Sequence, residues 1–519
     1  MTVYSAVQFL MWLLIAASVI AVVAARVRVP YTVALVLGGL ALGSFHLPFV
    51  DVLLSNRASW VTPDITLGIF LPPLLFEGSL KLNLRELLEN ALPITLLATV
   101  GVLVATLAAG FAAHWALGLP LLVALAFGAI MAATDPISVL SIFKEMTVPK
   151  KLSVIVEGES LLNDGVAAVL YGILVAGITS GNLGIGEGIR HFVVEVTGGI
   201  VIGLFLGYLS SKVLETIDDP QVEITLTTVL AYGSYLLAQS LQLSGVIATV
   251  SAGLILGNLG AKVGMSARTR VALWGFWGYF SFIVNSLVFL LIGLQVHFGA
   301  LIASWRVNLL AIGAVFLGRM LSVYGLIPVS NMFRAGVPLR WQHVLVAGGI
   351  RGALSLALAL SLSSNFPHRE QILATTFAVV AFTIVAQGLA IRPLLAFFGM
   401  NSPAEGDYER ARVQQMSIFA AQSELQGLLR NQTITQPAFE QLRVELNARL
   451  EQINAKLAQL YGEDESRIVP EVRIARKKLI TAEKSSIEEA QQDSLISQRT
   501  AGKMLEESDR RLDHMANQG

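Results

Sequence analysis

The chain has 519 residues, of which 54% are hydrophobic and 14% charged, and its 36 basic and 36 acidic side chains cancel to a formal net charge of zero. Soluble globular chains carry about 25% charged residues, so an ordinary water-soluble domain is excluded over most of the length. The lack of cysteine excludes disulfides and thiolate chemistry, and none of the seven histidines stands three or four residues from another, as a paired metal site would need.

Charge is unevenly spread. Residues 401–519 hold 16 of the basic and 19 of the acidic groups, whereas stretches such as 119–140 and 231–257 are nearly free of charge. Lipid is the expected solvent for the first part and water for the second. In chain order, apolar stretches of membrane-spanning length are expected near 5–25, 30–44, 63–80, 91–113, 119–143, 152–178, 188–213, 221–240, 243–260, 271–296, 305–328, 343–362 and 370–392. The first has no basic region before it and no small-residue cleavage site after it, so it reads as a retained span.

Odd-numbered connections and the end of the last span carry fourteen Lys or Arg: Arg26, Arg28, Lys81, Arg85, Lys144, Lys150, Lys151, Lys212, Lys262, Arg268, Arg270, Arg334, Arg340 and Arg392. Even-numbered connections carry four, Arg57, Arg190, Arg306 and Arg369. That bias places the N-terminus outside and the C-terminal tail in the cytosol. Thirteen spans also suit six, a linker and six more, so that the halves enter the membrane from opposite sides as an inverted repeat.

Seven ionisable groups fall at bilayer depth: Glu77, Asp135, Glu157, Glu159, Asp164, Arg319 and Arg351. Each costs a few kcal/mol or more there, which calls for a partner or a function. Five acids against two bases leave an excess of carboxyl groups. A carboxyl kept from water can hold or release a proton near neutral pH, and once charged it attracts a dehydrated cation.

Glu77 follows Pro72-Pro73 and either reaches a central site or snorkels to the cytosolic surface. In the fifth span, Thr134-Asp135-Pro136 predicts a break, because proline disfavours helix at the residue before it and starts a new helix well. Thr134 or Asp135 would cap that second half, with the carboxylate against its positive end. The densest cluster is Glu157-Gly158-Glu159-Ser160-Leu161-Leu162-Asn163-Asp164. Ser160 and Asp164 share one helix face, Glu159 and Asn163 lie beside them, and Asp164 falls close to midplane. Oxygen atoms from Asp164, Ser160 and Asn163 suit a hard monovalent ion, and Glu157 reads as a vestibule charge. Arg319 cannot lose its charge, and Glu159 is its expected partner. Gly348-Gly349-Ile350-Arg351-Gly352 predicts a second break in the twelfth span, where Arg351 would offset exposed carbonyls.

At these residues the chain resembles the NhaP and eukaryotic NHE-type sodium/proton antiporters of the monovalent cation:proton antiporter superfamily, over about residues 5–395. The resemblance rests on Thr134-Asp135-Pro136, Gly158-Glu159-Ser160-Leu161-Leu162-Asn163-Asp164, Gly318-Arg319 and Gly349-Ile350-Arg351-Gly352-Ala353. It implies an all-α membrane protein with two crossing interrupted helices. Asp164 would be the residue carrying ion and proton, with Asn163 its neighbour. Thr134 and Ser160 would join Asp164 as Na+ ligands, with Asp135 at the helix crossover and Glu77 near the ion. Glu159 and Arg319 would form a structural ion pair. It further implies electroneutral exchange of Na+ or Li+ for H+ by a homodimer in a bacterial inner membrane. Core spans 91–178 and 305–392 would move against dimerisation spans 5–80 and 221–296, with 188–213 as linker.

No cofactor or nucleic acid is called for. A potassium/proton exchanger of the same fold stays open from sequence, as does a cation channel, although a channel needs no proton-coupled acid. An intramembrane aspartyl protease using Asp135 and Asp164 lacks its usual Gly-x-Gly-Asp context and gives the arginines no role. The tail, 401–519, reads as helical, with Phe439, Leu442, Leu446, Leu450, Ile453, Leu457 and Leu460 at spacings of three and four and breaks at Gly462 and Pro470. A dimerising or pH-regulating role and a plain solvated appendage both fit it.

Overall fold

The computed structural model describes residues 3–27, 29–44, 66–146, 148–181, 184–217, 219–295, 304–333, 335–363, 365–400 and 403–461, with single positions at 487, 500, 504 and 505. Arg28, Arg57 and Arg334 of the charge count, His46, His297, Gly462 and Pro470 lie outside the described residues, as do the side chains of Lys262 and Leu460. Two compact units are present, 1–401 and 402–519.

The regular elements among the described residues of the first unit are all helices. In order they form α1 (Val3–Val27), α2 (Tyr31–Ser44), α3 (Leu71–Lys81), the short α4 (Leu84–Glu89) and α5 (Ala91–Leu117). There follow α6 (Leu121–Ala132), α7 (Ile137–Glu145), α8 (Lys150–Ser180), α9 (Ile185–Leu214), α10 (Pro220–Ser240) and α11 (Gly245–Ile255). Then come α12 (Ala267–Gln295), α13 (Trp305–Met332), α14 (Leu339–Ala347), α15 (Ala353–Leu360) and α16 (Arg369–Phe397). Each of the thirteen apolar stretches carries helix. Eight of the described helical stretches are long and apolar enough to cross a membrane. Large apolar side chains stay outward on them, among them Val201, Phe205, Val271 and Leu309. Water would penalise such a surface and hydrocarbon does not.

Packing sorts these helices into two groups. In one, α5 lies between α6 and α13, while α8 and α15 both pack on α6. In the other, α12 packs on α2 and α3, and α11 packs on α3, α9 and α10. The second group has its own core around Phe76, Leu230, Leu256 and Trp277. The Phe76 and Trp277 rings lie 4.7 Å apart, and the indole Nε1 donates to Thr227 Oγ1 at 3.0 Å, which satisfies its buried N–H.

Glycine sets the closest helix approach. Where α2 crosses α12, a Cβ on Gly39 would lie 2.4 Å from the Leu290 carbonyl oxygen, and one on Gly293 would lie 2.2 Å from that of Val36. The obstacle is backbone, which cannot swing away as a flexible side chain can.

The second unit contains α17 (Pro403–Arg430) and α18 (Gln436–Tyr461). Gln415 Nε2 donates to Asn454 Oδ1 at 2.7 Å, and Gln422 Nε2 donates to Asn447 Oδ1 at 2.9 Å. One strip of partners ascends while the other descends, so the two helices run antiparallel. Phe439 and Leu457 are buried in this hairpin; Leu446, Leu450 and Ile453 are half-buried, and Leu442 is exposed. The stripe read from sequence therefore departs from its buried face at Leu442.

Gly293→Ala should destabilise the protein by about 1–3 kcal/mol through overpacking at the α2–α12 crossing. Gly313→Ala, whose Cβ would meet nothing within 4 Å, should not. Heat-denaturation midpoints of the two variants in detergent check the difference.

Candidate functional site

The centre of the first unit is built from two broken helices. Pro136 has no N–H to give and restrains the residue before it, and Ala133 already has extended dihedrals of φ −61° and ψ 136°. Residues 133–136 therefore separate α6 from α7, and the last carbonyls of α6 lose their helical partners. Arg351, 1% exposed, supplies replacements: its Nη1 donates to the carbonyls of Ala132 and Ala133 at 3.3 and 3.2 Å.

Arg351 stands in the extended stretch between α14 and α15, so the two breaks meet. The Asp135 N–H donates to the Ile350 carbonyl at 2.7 Å, and the Arg351 N–H donates to Thr383 Oγ1 at 3.2 Å. Thr383 opens a π-helical turn, 383–387, inside α16. A Cβ on Gly352 would lie 2.4 Å from the Asp135 Cβ, so only glycine permits this approach. Asp135 Oδ1 accepts from the Ile137 N–H at 3.2 Å and caps α7 at its positive end.

Helix α8 closes the crossing from one side. Asn163, fully buried, donates from Nδ2 to Thr134 Oγ1 at 2.6 Å and to Glu159 Oε1 at 2.9 Å, and its Oδ1 accepts from the Thr134 N–H at 3.4 Å. Ser160 donates to the Thr134 carbonyl, and the Ser160 and Thr134 hydroxyl oxygens lie 3.2 Å apart. Glu159 receives both arms of Arg319, at 2.8 and 3.0 Å. Arg319 also donates from Nε and Nη2 to the Leu345 carbonyl at 3.2 and 3.0 Å. One guanidinium thus ties α13 to α8 and to the end of α14.

Asp164 is placed differently from these neighbours. It is half-buried on α8 and lines a cavity of about 550 Å³ together with Thr134, Asp135 and Glu77. Among the described residues, Asp164 Oδ1, Asp135 Oδ2 and Ser355 Oγ on this wall have no hydrogen-bond partner in the protein. Glu77 is paired with Lys81, and both face the cavity, as do Lys144 and Glu157. The residues singled out from sequence are therefore gathered in one place. Asp164, Thr134, Asp135 and Glu77 line the cavity, Ser160 and Asn163 are buried against Thr134, and Glu159, Arg319 and Arg351 brace the crossing.

Sequence reasoning passed over other cavity residues. Thr32 on α2 accepts from Ser138 on α7 at 2.8 Å, and Ser281 and Asn285 project from α12. The last two are an i, i+4 polar pair in an apolar span, and that spacing was the available signal.

A sequence-family model described as "Sodium/hydrogen exchanger, transmembrane" matches residues 13–397, which include every site residue named above. The chain belongs to the sodium/hydrogen exchanger family. It is 38% identical over 499 residues to the Na(+)/H(+) antiporter NhaG of Bacillus atrophaeus, covering 94% of this chain and 93% of NhaG. With the Na(+)/H(+) antiporter ApNhaP of Aphanothece halophytica it shares 40% identity over 415 residues, 79% of this chain and 77% of ApNhaP. The solved structure of the sodium proton antiporter MjNhaP1 from Methanocaldococcus jannaschii at pH 8 superposes with a TM-score of 0.61 at 20% identity. It covers 77% of this chain and 98% of MjNhaP1, and at that identity the likeness is one of fold.

In this exchanger-family chain the Glu159–Arg319 pair is buried, so removing one partner strands a charge. Arg319→Met should cost about 3–5 kcal/mol. Adding Glu159→Gln should recover much of it, since glutamine keeps an acceptor for Asn163 and carries no charge. The denaturation midpoints of the single and double variants in detergent test this, and equal midpoints would contradict it.

Proposed function

We propose that this chain is a secondary antiporter that exchanges Na+, or Li+, for H+, with cation and proton competing for Asp164. The observation that carries the reading is the contrast within α8: Glu159, Ser160 and Asn163 are committed to protein partners, whereas Asp164 faces the cavity with Oδ1 uncommitted. A carboxylate so placed can be neutralised by a cation or by a proton, and each favours release of the other. On this reading Thr134 and Ser160 contribute oxygens to a shell around Na+, with Asn163 fixing Thr134, and Asp135 and Glu77 adding negative potential. Arg351 keeps the crossing intact while the site changes occupant.

Exchange then follows from solvation. Carrying the charged, empty carboxylate across apolar surroundings is costly, while either loaded form is close to neutral. Movement of the helices at 91–178 and 305–392 against those at 5–80 and 221–296, with 188–213 as linker, would expose Asp164 to the two faces in turn. One carboxylate exchanged at each turn gives one cation per proton, hence electroneutral transport. The same reading includes thirteen spans in an inverted repeat, a homodimer, and a bacterial inner membrane. The charge bias of the connections supports an outer N-terminus and a cytosolic C-terminal unit.

Proteoliposomes loaded with a pH-sensitive dye should respond to added Na+ or Li+, at a rate indifferent to an imposed membrane potential. Adding K+ in the same assay separates a potassium exchanger from a sodium one. Asp164→Asn should reduce the response to background while leaving the protein folded and its oligomer unchanged on size exclusion. Sustained exchange by that variant would rule out Asp164 as the shared site.

A further inference from the structure

The cavity that holds Asp164 has a second polar wall on a helix of the other packing group. Gly278, Ser281, Asn285 and Phe289 of α12 all line it, and their three- and four-residue spacing makes them one stripe of that helix. The two polar members are well buried, Ser281 at 4% and Asn285 at 9% exposure. Ser281 Oγ and Asn285 Oδ1 have no hydrogen-bond partner among the described residues. A buried oxygen without a partner is unfavourable, and two of them on one cavity wall call for water or an ion as the partner. Two polar neighbours do have partners: Ser286 bonds to Tyr31 and to the Phe282 carbonyl, and Thr32 accepts from Ser138.

We propose that Ser281 Oγ and Asn285 Oδ1 form a cation station on the α12 wall, where a partly hydrated monovalent cation exchanges water for protein oxygen before it reaches Asp164. The inference rests on the exchange reading above. Residues one turn apart have Cβ atoms about 5–6 Å from each other, a spacing at which two oxygens can share one cation and its remaining water molecules. Both oxygens are uncharged, so the station replaces hydration without holding the ion as tightly as a carboxylate would. It belongs to a helix packed on α2 and α3, whereas Asp164 belongs to a helix packed on α6. A cation passing between them moves from one packing group to the other. The proton needs no such oxygen pair, so the station acts on the cation branch of the cycle.

The test is the Na+ dependence of exchange by full-length protein in proteoliposomes, for the parent, Asn285→Leu, Ser281→Ala and Asn285→Asp. Asn285→Leu removes the oxygen at similar volume and should raise KM for Na+ about three- to tenfold, the equivalent of one lost ligand, with the maximal rate held within about twofold. Ser281→Ala should shift KM in the same direction by less, and Asn285→Asp, which restores an oxygen with added charge, should bring KM back to the parent value or below. The dependence of the rate on internal proton concentration should stay that of the parent in all three. A role in packing alone predicts a lower denaturation midpoint with KM unchanged, and that result overturns the proposal. Parent KM in both Asn285→Leu and Ser281→Ala overturns it as well. Should the parent itself exchange no cation for protons, the exchange reading fails first, and the two failures are told apart by that control.

Discussion

Two helices are interrupted at the centre of this protein, and lipid offers their freed backbone groups nothing to bond with. A carbonyl or N–H left bare there costs several kcal/mol, so the interruption survives only if the protein supplies each partner itself. It does so within a few residues. Arg351 covers the end of α6, Asp135 caps the start of α7, and the two extended segments bond to each other through Asp135 N–H and the Ile350 carbonyl. Arg319 covers the Leu345 carbonyl near the end of α14 and is itself neutralised by Glu159. Replacing either arginine by a shorter cation would not serve, because each guanidinium answers more than one acceptor and needs its planar fork to reach them.

That accounting leaves a small set of polar atoms with nothing to do structurally. Around the crossing, the oxygens of Ser160, Asn163 and Glu159 are all engaged, and they make a rigid frame against Thr134. Asp164 Oδ1, Asp135 Oδ2, Ser355 Oγ, Ser281 Oγ and Asn285 Oδ1 are not engaged, and each belongs to a residue on the cavity wall. Other buried polar atoms also lack a partner among the described residues, Thr106 Oγ1, Trp341 Nε1 and Thr376 Oγ1 for example, but the five that share one cavity wall are where a ligand or water is to be sought. Rigidity of the frame and availability of the wall are two results of one distribution of hydrogen bonds.

Much of this was legible in the residues before any coordinates, and the reason differs from case to case. The break before Pro136 follows from the missing N–H and the steric restriction on Asp135, and the break at 348–352 follows from three glycines around a charge that lipid would not tolerate. The need of Arg319 for an acid follows from a group that cannot be deprotonated, though only the fold brings Glu159 within reach, 160 residues away in sequence. Uncharged polar residues were harder to place. Ser281, Asn285, Thr32 and Thr383 look like the ordinary glue between membrane helices, and nothing in sequence says which way a serine on an apolar helix faces. Glu77 stood between two readings because its position depends on where α3 meets the cavity. The structure gives it both an ion pair with Lys81 and a place on the cavity wall. In the second unit, Leu442 matched the helical spacing but sits outside the hairpin's buried face, because a period alone does not fix the width of a contact.

The pairing of charges also bears on stoichiometry. Glu159 is matched by Arg319 and Glu77 by Lys81, while Arg351 is engaged by the Ala132 and Ala133 carbonyls. Two α8 carboxylates line the cavity: Glu157, in the company of Lys81 and Lys144, and Asp164, whose Oδ1 has no partner among the described residues. A second carboxylate at position 163 would have added a charge that one monovalent cation could not cancel, and the loaded site would still have been costly to carry through apolar surroundings. With an amide there, bonded to Thr134 and Glu159, the proposed exchange asks only that a single positive charge neutralise Asp164. A proton meets that requirement as well as an alkali ion does. On the proposed reading, equivalence of the two occupants follows from the neutrality of residue 163 and from the commitment of Glu159 to Arg319, and no further device is needed to enforce one-for-one exchange.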